Sequence, residues 1–152
     1  MSNQFDRPRH DPWHAALTGL AYFAVVFAAG FVLGALRVFL LIPWVGEFAA
    51  VLIELPVILL VAWVACGRLV EAFDVPSQLA PRLVMGGVAF LTLMGAELGL
   101  SVLAFGRTVA DHLAQYHEAH ALLGLAGQVV FGLFPATQLR RDKGRPGMSG
   151  PK

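Results

Sequence analysis

The sequence predicts an all-α integral membrane protein, a four-transmembrane-helix bundle with both termini cytoplasmic, and three observations carry that prediction. Hydrophobic residues make up 57% of the 152 positions and charged residues only 14%, a balance outside that of soluble domains. Apolar runs recur at the length that a hydrocarbon core of about 30 Å demands of a helix, roughly 20 residues. Lysine and arginine gather at the ends of alternate runs, which is the pattern that sets orientation.

Residues 1–14 read as a cytoplasmic tail, with His10, Trp13 and His14 at the interface. The transmembrane domain spans 15–137. Its first run, 15–42, carries small residues at Ala28, Ala29 and Gly30 but stays apolar to Ile42, so it reads as an uncleaved span and not as a signal peptide. Pro43 and Gly46 predict a tight turn of about four residues into a second span, 48–66. The next connection, 67–82, contains Pro76 and Pro81 and is expected at the membrane surface, before a third span over 83–105. The third connection, 106–118, has room for a short amphipathic helix, and a fourth span follows over 119–137. Residues 138–152 form a basic tail with Gly, Pro and few apolar residues, expected to be disordered and drawn to anionic lipid.

With four spans, Arg7, Arg9, Arg68, Arg82, Arg140, Arg141, Lys143, Arg145 and Lys152 share one side, and only Arg37 and Arg107 take the other. The positive excess belongs inside.

Ionisable residues within a span are costly and tend to face the bundle interior, so they are the first candidates for function. Here they are Arg37, Glu54 and Glu97, with Glu47 nearer the surface. At about 1.5 Å per residue, Arg37 lies about 7 Å, Glu54 about 10 Å, Glu97 about 12 Å and Gln128 about 13 Å below the outer ends of their spans. Each helix therefore gives one polar group to a common layer. Helical phase places Gly30, Gly34 and Arg37 on one stripe, where small residues let a neighbour approach. Glu97 shares its face with Gly86, Phe90, Leu93, Ser101 and Ala104, and Glu54 shares one with Glu47, Ala50 and Val61. Pro56 removes the helical bond to the Leu52 carbonyl and is expected to bend the second helix beside Glu54. One arginine among two carboxylates permits two readings: a buried ionic lock, or a lock with a second carboxyl left for a proton, cation or ligand.

Other signals narrow the function classes. The single cysteine, Cys66, excludes an intramolecular disulfide, a CxxC pair and a cysteine zinc cluster. His117 and His120, near Asp111 and Glu118, could share a helix face and hold a metal, but His112 is five residues from His117 and fits no standard ligand motif. No histidine lies deep in the membrane interior, which leaves none to clasp a haem between helices. Phosphate-binding loops, nucleophile elbows and zinc-protease helices are absent from the sequence. No cofactor, catalytic residue or nucleic-acid partner is therefore expected. Gly95-x-x-x-Gly99 faces away from Glu97 and offers a packing face for another copy or another protein. Trp44 reads as an interface anchor, and Trp63 as an anchor or a packing residue.

The pattern Gly34-Ala-Leu-Arg37, Pro43, Gly46-Glu47, Ala50 and Glu54-Leu-Pro56 resembles a group of small uncharacterised four-span bacterial inner-membrane proteins. That resemblance covers the first hairpin and implies a bacterial inner (plasma) membrane, with no activity attached. Gly30-x-x-x-Gly34-Ala-Leu-Arg37 is also similar to the first helix of small dimeric fluoride channels, but the chain lacks that family's asparagine in the second helix and phenylalanine-serine/threonine run in the third. The leading expectation is a non-enzymatic protein acting by association, as a homo-oligomer or within a larger membrane complex. The alternative is a small proton- or ion-coupled transporter or channel using Glu54 and Glu97 with Arg37.

Overall fold

The computed structural model describes residues 12–143, with side chains through Leu139. Helix α1 covers Pro12–Leu36 and runs through a π-helical turn, Arg37–Leu41, into α2, Ile42–Val45. Helix α3 covers Glu47–Ala72, and α4 covers Leu79–Gly99 and widens into a second π turn at Leu100–Ala104. A short α5, Val109–Ala114, and a 3-10 turn, Gln115–His117, lead into α6, Ala119–Lys143. Four stretches are long and apolar enough to cross a membrane: Pro12–Val45, Glu47–Ala72, Leu79–Ala104 and Ala119–Leu139.

The helices overrun the boundaries that hydropathy set. Arg68, Leu69, Val70 and Glu71 extend α3 because hydropathy marks only the apolar stretch, whereas Arg68, Leu69 and Glu71 keep good helix propensity beyond it. The chain leaves α3 at Phe73 and Asp74, whose φ of 47° takes it into the left-handed region. Pro81 lies in the first turn of α4, where a missing N–H costs no helical bond. Helix α6 continues to Lys143, so the tail expected to be disordered from 138 is helical over its first residues. The remainder of that tail, 144–152, and positions 1–11 of the N-terminal tail lie outside the described residues.

The first hairpin turn is also tighter than expected. Pro43 stays helical within α2, and Gly46 alone joins α2 to α3 with φ 79° and ψ 169°. A proline ring crowds the carbonyl four residues back, and the π turn just before Pro43 widens the helix at that place. Pro56 is accommodated within an unbroken α3.

Helix α1 packs on α3 and α4, and α6 packs on the same two, so the four long helices form a ring in the order α1, α3, α6, α4. Two close approaches fix it. A Cβ on Gly19 of α1 would stand 2.5 Å from the Met85 carbonyl of α4, and one on Gly86 of α4 would collide with the Gly132 carbonyl of α6. The close approach expected at Gly30 and Gly34 is made at these glycines instead. Gly30 has only an ordinary contact with Ile58, and Gly34, Gly95 and Gly99 have nothing within 4 Å of a Cβ.

The apolar core gathers in the half of the bundle away from Gly46, around Tyr22, Ala62, Cys66, Met85, Ala89 and Phe131. Phe39, Leu91 and Leu103 are among many large apolar side chains left exposed on the outside, as a lipid-facing surface requires. The half toward Gly46 holds Arg37, Glu54, Glu97 and Gln128.

Candidate functional site

The four residues of the expected layer form two separate pairs. Arg37, carried on the first π turn, places its Nε 3.1 Å from Glu54 Oε2 on α3, with side chains 29% and 14% exposed. Neither atom has a well-aligned hydrogen-bond partner, so the contact is ionic. On the other side of the ring, Gln128 of α6 donates from Nε2 to Glu97 Oε1 of α4 at 2.6 Å. Among the described residues no ion pair joins Arg37 to Glu97. Between the pairs, Leu55 lies against Gly127, where a Cβ would stand 2.5 Å from its Cδ1. Each pair therefore adjoins the same apolar contact.

The two pairs differ in chemistry. A guanidinium keeps its proton and favours the ionised form of Glu54. An amide carries both a donor and an acceptor, so Gln128 can bond a carboxylate through its nitrogen or a carboxylic acid through its oxygen. Glu97 thus has a partner suited to either protonation state.

Helix α5 forms a cap over the Glu97 pair. Thr108 and Asp111 build a reciprocal capping box: Asp111 N–H donates to Thr108 Oγ1 at 3.1 Å, and Thr108 N–H donates to Asp111 Oδ2 at 3.1 Å. The Thr108 hydroxyl adds a bond to the same carboxylate at 2.6 Å. These bonds hold the Asp111 carboxyl below its ordinary pKa. The cap brings His112 and Tyr116, packed edge to face at 5.8 Å, into electrostatic reach of Glu97. Burial, with the Glu97 charge second, raises the Tyr116 hydroxyl above its ordinary value. Ser101, one turn beyond Glu97 and 7% exposed, turns inward with its Oγ unpartnered.

The three candidate metal-binding histidines do not come together. His112 belongs to the cap, His117 lies exposed in the 3-10 turn, and His120 sits between two carboxylates at the rim. Its Nε2 is 3.7 Å from Glu47 and its Nδ1 3.3 Å from Glu118. Glu47, Glu118 and His120 are the group among the described residues whose donor atoms stand close enough, within 4.8 Å of one another, to share a metal ion. Trp63 packs edge-on against Phe134 at 5.1 Å, and Trp44 is exposed beside the Gly46 turn.

Residues to which the sequence gives no packing role also carry structure. Arg82, expected as a surface charge, is 1% exposed, and its Nε donates to the Pro76 carbonyl at 3.3 Å. Tyr22 crosses the ring to α6, and Gln138 reaches the Trp63 carbonyl at 2.9 Å. For the cap, the threonine and aspartate spaced as Thr108-Val-Ala-Asp111 are a readable start signal. Comparison with known protein families, curated proteins and solved structures finds no match to this chain.

Proposed function

We propose that this chain is a small proton- or cation-coupled protein of a bacterial inner membrane, with both termini cytoplasmic and Glu97 as its ionisable site. The observation that carries the reading is that Arg37 pairs with Glu54 while Glu97 hydrogen-bonds to Gln128. The Arg37–Glu54 pair then acts as a lock between the π turn and α3. Glu97 is the second carboxyl, held by a neutral amide that accommodates gain and loss of a proton. The orientation rests on the lysine and arginine asymmetry, which puts the Gly46 turn and the α5 cap on the periplasmic side. The basic segment after Leu139 then lies at the cytoplasmic leaflet, where it meets anionic lipid.

The test is proton flux in proteoliposomes containing the purified full chain. Wild type is expected to dissipate an imposed pH gradient, and Glu97→Gln to remain folded and inactive. Equal flux in both removes Glu97 from the function.

A second reading, association with another copy or another protein, is favoured by the α4 face at Gly95 and Gly99. Nothing lies within 4 Å of a Cβ at either glycine, and Leu91 and Leu103 of the same helix and its π turn stand exposed. Native mass spectrometry of protein extracted gently from its membrane decides it. A fixed complex lost in Gly95→Leu supports association, and a monomer in both rules it out.

A further inference from the structure

We infer that the polar cluster under α5 is a hydrated access route that delivers protons to Glu97, with His112 as the relaying group. This rests on Glu97 being the ionisable site, and it adds the route and identifies the proton as the ligand.

Four side-chain atoms in this region are buried without a hydrogen-bond partner: Ser101 Oγ, His112 Nδ1, Gln115 Nε2 and Gln128 Oε1. Helix α5 packs on the π turn that carries Ser101, and the 3-10 turn that carries Gln115 packs on α6, which carries Gln128. Gln128 bonds Glu97, Ser101 follows Glu97 by one turn, and His112 sits within electrostatic reach of Glu97. Gln115 lies on the 3-10 turn that continues α5, beside Tyr116. Polar atoms buried without partners are costly, and in native proteins water commonly satisfies them.

The chemistry of the set selects the ligand. Gln115 Nε2 only donates and would repel a metal cation, while Glu97 would repel an anion. Gln128 Oε1 only accepts, and the serine hydroxyl and the imidazole do either. A molecule that both donates and accepts suits all of them, and water does so while conducting protons.

His112 completes the route because a neutral imidazole takes a proton on one ring nitrogen and releases one from the other. The balance is simple. A proton from bulk water bonds the unprotonated nitrogen, the N–H on the opposite nitrogen breaks to an inner water, and that water protonates the Glu97 carboxylate. The ring ends as the other tautomer and is reset by rotation or by exchange with water. The other groups around Glu97 are accounted for: Tyr116 from the cap stays neutral, Gln128 from α6 is neutral, and Glu54 on α3 is held by Arg37.

The experiment is time-resolved infrared spectroscopy of the full chain in liposomes after an acid jump, following the protonated carboxyl band that Glu97→Gln removes. His112→Ala is expected to keep the amplitude of that band and slow its rise on the order of 100-fold. Imidazole added to the buffer should restore the rate, which a merely structural histidine would not allow. A rise that is unchanged in His112→Ala, or slowed but not restored by imidazole, overturns the route and leaves Glu97 as the site. A wild-type chain with no Glu97 band overturns the proposed function together with the route.

Discussion

Tyr22 of α1 donates its hydroxyl to the carbonyl of Phe131 on α6 at 3.2 Å, while its ring stacks on the Phe131 ring at 4.4 Å. That carbonyl is the one Pro135, four residues on, leaves without a helical N–H. An unpaired carbonyl cannot be left in hydrocarbon, so a residue from the diagonally opposite helix completes the backbone of α6. Tyr22→Phe keeps the stacking and removes the hydroxyl, and is expected to cost about 1–3 kcal/mol. In a Pro135→Ala background, where the substituted residue supplies the missing N–H, the same change should cost little. Unfolding in mixed micelles, read as a double-mutant cycle, checks the coupling.

The Arg37–Glu54 pair predicts an asymmetry between breaking and replacing it. Glu54→Gln or Arg37→Met alone leaves one charge in an apolar setting and should destabilise by on the order of 3 kcal/mol. Removing both charges, as Arg37→Met with Glu54→Leu, should recover most of that loss, and the same unfolding assay measures it.

Glycine substitutions separate the two kinds of small-residue face. Gly86→Ala and Gly132→Ala force α4 and α6 apart and should each cost about 1–3 kcal/mol, as overpacking does. Gly95→Ala and Gly99→Ala meet nothing within 4 Å and should leave the stability of the single chain unchanged.

The cap should respond to acid in one direction. Because the Thr108 bonds lower the Asp111 pKa, the box contributes fully above the ordinary carboxyl value of 3.8. That contribution is lost as pH falls through the lower folded value. Amide protection in α5, relative to the unstructured rate at each pH, should therefore hold down to the ordinary range and fall only below it, while Thr108→Ala should lower it at neutral pH.

The sequence made the spans legible because apolar length is a local property. It made the separate members of the polar layer legible because a charge in a span is conspicuous wherever it points. Partner choice is not readable there: depth alone cannot tell whether Arg37 meets Glu54 or Glu97, since that depends on which helices are neighbours in the ring. The packing glycines are obscured for the same reason. Gly86 and Gly132 matter because their backbones meet across two helices, whereas Gly30 and Gly34 share a stripe that no neighbour approaches closely. Pro43 reads as a turn because proline usually ends a helix, and nothing in the apolar residues before it announces the π turn. Tyr22, in an apolar run, gives no sign that its hydroxyl serves a carbonyl more than a hundred residues away.

Under the proposed function, Glu97 takes the proton while Glu54 stays ionised beside Arg37. An apolar carbodiimide, which reacts with protonated carboxyl groups inside the membrane, separates the two directly when the modified site is mapped by mass spectrometry. A single adduct on Glu97 that disappears in Glu97→Gln and falls away as pH rises is the predicted result. An adduct on Glu54 with Glu97 unmodified would contradict it.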